Sequence, residues 1–418
     1  MIKRIKGTHD LLPEDSREWV ALEDLIRQIM DKYNFYELRT PVFENTELFA
    51  RGIGQLTDIV SKEMYTFLDR GKKQITLKPE MTAPIIRAYL ENKLYAKSQI
   101  NKIYYIAPLF RQENPQAGRL RQFHQFGAET IGTAAPEADA EMIDLAMTVY
   151  DRFGLKGLQL TINSVGDPQC RDPYKKTLQD YIRPHLHEYC PDCQRRFDEN
   201  PMRILDCKNE ACRTLNQQAP KIVDNLCDDC QAHYDRLRDV LQAMGRQYEE
   251  DAYLVRGLDY YTRTVFEITS PALGAQNAIC GGGRYDLLAE ELGGPSTPAI
   301  GFASGIERLM MVAAEQVIRL VKEPRLDIFF ATVDDAARHK APEFLQWLRG
   351  NGFKCEMDFL QRSIKAQMRE ANRQNARFVL ILGEQELEDD VLSVKIMEQG
   401  QQQVVARKEL IPFLNQRM

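Results

Sequence analysis

Apolar residues recur along this chain in two different rhythms. Between residues 19 and 33, Leu22, Leu25, Ile26, Ile29 and Met30 return at steps of three and four, the period of a helix with one buried face. Residues 137–150 repeat the pattern, with Met142, Leu145, Ala146 and Val149 on one side. Between these stretches the runs shorten, and Gln74-Ile75-Thr76-Leu77 and Ile103-Tyr104-Tyr105-Ile106 read as strands. Residues 166–240 lose the rhythm. They are rich in Cys and Asp and read as an irregular inserted module. From Leu254 the strand pattern returns and passes through a glycine-rich turn into a helix. The strands are not joined in regular strand–helix–strand units, which predicts an α+β fold with an antiparallel core.

Val321-Lys322-Glu323-Pro324-Arg325 reads as a linker. Beyond it strands at 326–333, 354–359 and 377–382 alternate with helices at 341–349 and 363–375, a small α/β domain. The expected division is 1–322, with an insertion at 168–240, and 326–418. No repeat or low-complexity tract is visible. The longest apolar runs, such as Phe378-Val379-Leu380-Ile381-Leu382, are strand-sized and far short of the roughly 20 residues that cross a bilayer. Met1 to Asp10 is polar, unlike a signal peptide, so the cytoplasm is the expected compartment and no membrane partner is expected.

Net charge is -6, which excludes a uniformly basic nucleic-acid coat and leaves any such partner to local patches. Six of the nine cysteines crowd into 190–230. In a reducing compartment that points to metal before disulfides. Cys190-Pro191-Asp192-Cys193 and Cys227-Asp228-Asp229-Cys230 are two C-x-x-C pairs, and together they would complete one tetrahedral zinc shell. Cys207 and Cys212 could replace one pair. The segment is poor in large apolar residues, so a metal would supply folding energy; the competing reading is a set of buried free thiols.

Three segments carry candidate chemistry. Phe110-Arg111-Gln112-Glu113 and Arg121-Gln122-Phe123-His124-Gln125-Phe126-Gly127-Ala128-Glu129 read as two strands joined by a polar loop. Arg111, Arg119 and Arg121 suit a polyphosphate, although alone such charges more often mark a solvated hairpin. Residues 255–267, including Arg256, Asp259, Tyr260 and Tyr261, set polar groups in a strand-like stretch, where they need partners or a ligand. Gly281-Gly282-Gly283-Arg284-Tyr285-Asp286 is a glycine-rich turn, and Arg308 follows near the start of a helix.

In this order the segments resemble the three signature motifs of class II aminoacyl-tRNA synthetases. More narrowly, Leu254-Val255-Arg256-Gly257-Leu258-Asp259-Tyr260-Tyr261 and Gly282-Gly283-Arg284-Tyr285-Asp286 look like the two histidine-specific motifs of the histidine–tRNA ligase family. Lys6-Gly7-Thr8-His9-Asp10 and Arg39-Thr40-Pro41-Val42-Phe43-Glu44 resemble its opening and its motif 1, usually a dimer-forming element. The resemblance runs the length of the chain. It implies an antiparallel-sheet catalytic core with an inserted module, a C-terminal α/β anticodon-binding domain and a homodimer. The partners implied are L-histidine, ATP with Mg²⁺, and tRNA(His).

The resemblance also implies roles. Arg111 would hold the α-phosphate, Glu113 meet the adenine amino group and Phe123 lie beneath the base. Arg119 and Arg308 would reach the outer phosphates. Arg256 would take a place at the α-phosphate often given to a metal, where an always-charged guanidinium stabilises developing charge. Glu80, Thr82 and Gln125 match the ammonium site. Glu129 and Tyr261 match the groups that read the imidazole, with Tyr260 and Tyr285 lining the pocket. His124 is expected to be structural. In the motif 2 loop, Gln116 falls in the part that meets the tRNA acceptor end. Around a helix capped by Ser363, Arg362, Lys365, Arg369, Arg373 and Arg377 share nearly one face, opposed only by Glu370, where the family binds the anticodon. The rival reading is a paralogue of the family, a regulatory subunit of ATP phosphoribosyltransferase.

Overall fold

The computed structural model describes residues 1–54, 57, 59–207, 209–274, 277–321 and 325–418. Lys322, Glu323 and Pro324 of the expected linker lie outside the described residues. Two compact units result, Met1–Leu320 and Val321–Met418. Among the described residues no helix is long and apolar enough to cross a membrane.

The first unit is built on an eight-stranded sheet. In spatial order its strands are Tyr36–Glu37, Asn101–Phe110, Gln122–Ile131, Ala299–Gly305, Ala278–Arg284, Thr262–Thr269, Gln159–Ser164 and Glu249–Glu250. All neighbours are antiparallel except the two short edge strands. Helices Pro13–Lys32, Pro136–Phe153 and Asp228–Ala243 cover one face. The first of these starts earlier than its apolar rhythm. Pro13 presets the first turn, and Glu14 and Asp15 meet its positive end. Alternation along a strand sends neighbours to opposite faces. Phe126 and Ala128 enter the helix-side core, while Phe123, Gln125 and Glu129 turn to the other face, which floors a cleft.

Three expectations are corrected. Residues 255–261 form a loop, and the strand runs Thr262–Thr269. The glycine triplet lies inside a strand, Ala278–Arg284, paired on both sides. The insertion is mostly helical, with Pro168–Ile182, Pro191–Glu199 and Glu210–Asn216 preceding Asp228–Ala243. It has a core of its own, since Tyr174, Leu178 and Ile182 recur every four residues and are fully buried with Phe197, Ile204 and Ile222.

The second unit carries a five-stranded sheet in the order Cys355–Met357, Ile328–Thr332, Phe378–Leu382, Val391–Ile396, Gln401–Ala406, the first three parallel. Helices Asp335–Gly350 and Arg407–Asn415 pack with it around one core, and Ile364–Arg373 around another on the far side. Ser363 stands at the N-cap of the latter helix, but its hydroxyl makes no capping bond.

Candidate active site

The cleft opens on the sheet face away from the covering helices. Arg111, Glu113, Arg119, Phe123 and Arg308, the residues matched to ATP, line it together with Glu80, Thr82, Gln125, Arg256, Tyr260, Tyr261 and Tyr285. Arg111 and Phe123 sit at the loop end of the hairpin, where Phe110 pairs with Gln122, and the Arg111 guanidinium lies 5.2 Å over the Phe123 ring. The connecting loop turns tightly at Gln116–Arg119, and Arg308 pins it by donating from Nε to the Gly118 carbonyl at 3.0 Å. Gln116 itself is exposed and does not line the cleft.

Like charges crowd this end. Burial, then Arg119 and Arg111, hold the Arg308 pKa below its ordinary value, with Glu113 opposing. Glu113 lies 3.6 Å from Arg119, and burial raises its pKa against the pull of Arg111 and Arg119. Such a group of guanidiniums is relieved by a polyanion.

Arg256 projects from its loop onto Glu267, Nη1 to Oε2 at 2.5 Å. The buried Arg256 Nε has no hydrogen-bond partner among the described residues. A Cβ on Gly281 would come within 1.7 Å of the Arg256 Nη2, so this glycine lets the guanidinium lie on the sheet. Glu267, within a segment singled out above but given no role, is the residue that aims Arg256.

The carboxyls at the inner end are buried. Glu80 accepts from the backbone N–H of Thr82 at 2.7 Å and Ala83 at 3.0 Å, fixing it at the start of the helix Thr82–Glu91. Glu129 is 1% exposed and lies behind the cleft floor rather than on it. It accepts from the Thr82 hydroxyl at 3.1 Å and the Tyr285 hydroxyl at 2.5 Å. Burial pushes its pKa up to about 8, against those two hydrogen bonds, with nearby Glu80 adding to the rise. A Cβ on Gly301 would meet a Glu129 oxygen at 1.5 Å, so this strand also makes room by lacking a side chain. Tyr105, which carried no expectation, lines the same end with a buried hydroxyl that has no hydrogen-bond partner among the described residues.

Residues of the insertion hold the loop in place. Arg171 donates to the Tyr261 carbonyl at 2.6 Å and Asn200 to Asp259 at 2.7 Å; just beyond the loop, Arg263 of the strand lies 3.6 Å from Asp167. His124 lies with Nδ1 2.9 Å from Glu307 and its ring edge-on to Trp19.

Two expected groupings change. The C-x-x-C pairs do not share a site. Cys190 and Cys193 meet Cys207 and Cys212, whereas Cys227 and Cys230 meet Asp167 and Cys170. Each pair starts its own helix, Pro191–Glu199 or Asp228–Ala243, and those starts lie against different segments. In the second unit Arg362 is not part of an open stripe. It bonds the buried Asp358 at 2.5 Å and reaches Glu370, which also holds Arg373. Lys365 and Arg369 are exposed, and with Arg373 and Lys395 they line a shallow groove.

A family model described as histidyl-tRNA synthetase matches residues 7–167 and 198–309, and one described as an anticodon binding domain matches 317–417. The histidine–tRNA ligase of Desulforamulus reducens is 50% identical over 414 residues, 99% of both chains. The apo S. aureus histidyl-tRNA synthetase superposes with a TM-score of 0.85 at 42% identity, covering 99% of this chain and 100% of that one. A Bacillus halodurans C structure described as an ATP phosphoribosyltransferase regulatory subunit/histidyl-tRNA synthetase shares the fold at 23% identity, with a TM-score of 0.66 over 92% of this chain and 98% of that one.

Proposed function

Since the chain belongs to the histidyl-tRNA synthetase family, and its activity is the ATP-dependent ligation of L-histidine to tRNA through a histidyl-adenylate, we propose the following division of labour among its residues. The observation that carries it is the convergence of Arg111, Arg119, Arg256 and Arg308 on one cleft whose other end is lined by Glu80, Thr82, Gln125 and Tyr285. Arg111 and Arg256 embrace the α-phosphate, and the unpartnered Arg256 Nε supplies a donor there. Phe123 and Glu113 take the adenine. Arg119 and Arg308 take the outer phosphates. The family's divalent ion, Mg²⁺, would neutralise phosphate charge when bound. Glu63, on the cleft wall, would supply a protein oxygen. The histidine carboxylate then attacks the α-phosphorus and pyrophosphate leaves, a step governed by positioning and charge stabilisation.

Glu80, Thr82 and Gln125 receive the ammonium group. Glu129, Tyr261 and Tyr285 read the imidazole, and Tyr260 packs 4.7 Å from the Tyr261 ring. A buried polar site of this kind rejects side chains that leave it unpaired. Histidine-dependent ATP–pyrophosphate exchange by the purified protein tests the reading. Histidine binding without exchange would favour the regulatory subunit, whose support here is a fold likeness at 23% identity.

The protein works as a cytoplasmic homodimer. Val42, Phe43, Phe67 and Leu68 are exposed around the small sheet of Phe43–Asn45, Gln74–Leu77 and Tyr65–Leu68, an apolar surface suited to a second copy. Gln116 meets the acceptor end of the tRNA, and the groove of Lys365, Arg369 and Arg373 meets the anticodon arm, with Arg362 bracing the helix from behind. Phosphate contacts of this kind add salt-dependent affinity. Replacing Lys365 and Arg369 together with Glu is expected to raise the KM for tRNA by about tenfold or more at physiological salt and to leave pyrophosphate exchange unchanged. An unaltered KM would mark the groove as merely solvated. The cysteines of the insertion form a structural zinc module outside the chemistry of the cleft.

A further inference from the structure

We propose that the insertion holds two zinc ions in separate four-ligand sites, one on Cys190, Cys193, Cys207 and Cys212 and the other on Asp167, Cys170, Cys227 and Cys230. This rests on the zinc reading above and replaces its single shared shell.

Within each group the ligand atoms all lie within 4.8 Å of one another. A tetrahedron with Zn–S arms of about 2.3 Å has edges of about 3.8 Å. The Cys190 and Cys207 sulfurs stand 3.8 Å apart. A disulfide would join two sulfurs at about 2.05 Å and give no reason for four to meet. Free thiols used as small core residues have no reason to meet either. Seven of the nine cysteines fall into these two groups, and the other two, Cys280 and Cys355, lie apart in strands.

The two sites share a construction. Cys190 and Cys227 are N-cap residues, and Cys193 and Cys230 follow in the first turns of Pro191–Glu199 and Asp228–Ala243. A helix start points spare N–H groups and its positive end at thiolates. The backbone N–H of Cys190 donates to the Cys212 sulfur at 3.3 Å, and that of Cys227 to the Cys170 sulfur at 3.0 Å. Those bonds spread the negative charge that four anionic ligands leave on a zinc centre. At the second site Arg263, 3.6 Å from Asp167, offsets more of it.

Asp167 is fixed for the task. One carboxylate oxygen caps the helix Pro168–Ile182 by accepting from Gln169 and Cys170, which sets the carboxylate within 4.8 Å of the three sulfurs. The second ion would thus clamp the first helix of the insertion to its last, a closure between residues 57 apart in sequence. The clamped helix is the one whose Arg171 holds the Tyr261 carbonyl.

Elemental analysis of the whole protein, purified without chelator, tests this directly, and two zinc ions per chain are expected. Cys193→Ser and Cys230→Ser should each keep one, lost from different sites. With cobalt in place of zinc, both variants should show tetrahedral absorption, and thiolate-to-cobalt charge transfer should be stronger in Cys230→Ser, roughly four thiolates against three. One zinc in the wild type overturns the two-site arrangement while sparing the zinc reading. A metal-free protein with all nine thiols titratable overturns both, as do disulfides. Should either variant fail to fold, the wild-type zinc count and its release by chelator decide the matter. None of these readouts depends on aminoacylation.

Discussion

Arg256→Ala is expected to slow histidine-dependent pyrophosphate exchange by about a hundred- to a thousandfold, the range found when one preorganised donor to a developing charge is removed. Arg256 is held by the Glu267 carboxylate beside the bare Gly281, and it keeps 21% of its side chain exposed. Its charge is therefore fixed before ATP arrives, and no reorganisation is needed as the α-phosphorus gains a fifth oxygen. Histidine binding should remain measurable by calorimetry, which separates a chemical defect from a collapsed pocket. Arg256→Lys keeps the charge but loses the planar fork, so it should recover only part of the rate. If Arg256→Ala exchanges pyrophosphate at near wild-type rates, the assignment is wrong.

Glu129→Gln should lower histidine affinity by about 10- to 100-fold, the loss of one charge-assisted hydrogen bond, with ATP affinity nearly unchanged. The pH dependence is sharper. With its pKa pushed up to about 8, Glu129 in the empty site is protonated at neutral pH. Free histidine is neutral above about pH 6.5. A complex holding one proton between carboxyl and imidazole then forms without proton exchange only between those values. Affinity should fall on both sides, by proton release below and proton uptake above. In Glu129→Gln the alkaline limb should vanish. Stability follows the same carboxyl. Between the ordinary glutamate value of 4.5 and about 8, the empty fold keeps a proton that the unfolded chain has lost. Its contribution to stability therefore falls as pH rises through that window. The variant should melt higher than wild type at pH 8.5 relative to pH 6. A wild-type histidine affinity that is flat from pH 6 to 9 would refute the shared proton.

The long amphipathic helices and the core strands were legible because their apolar positions recur at helix or strand period where they meet a buried core. Positions where function displaces the ordinary pattern were not. Residues 255–261 alternate like a strand but form a loop, because Arg171 and Asn200 hold their backbone and side chains away from the ladder. Glycines 281–283 read as a turn, since glycine usually punctuates, yet here they are strand residues kept bare. The helix expected at 341–349 runs Asp335–Gly350, because Asp334 caps it earlier by accepting from the Ala337 N–H. The cleft residues were found through family motifs; by periodicity Glu129 is one more strand residue. Cys170 belongs to no C-x-x-C pair and lies 57 residues from Cys227, so only the fold brings it to its cluster.

The bare floor of the cleft bears on how this enzyme can change. Gly281 and Gly301 shape it by what they lack, since an added Cβ would fall 1.7 Å from Arg256 or 1.5 Å from Glu129. Every amino-acid replacement at a glycine codon adds at least that carbon. A competitive inhibitor resting on these two residues would press against ground that a point mutation recontours only by displacing Arg256 or Glu129, the groups assigned to the substrate, so resistance is expected to arise from the walls.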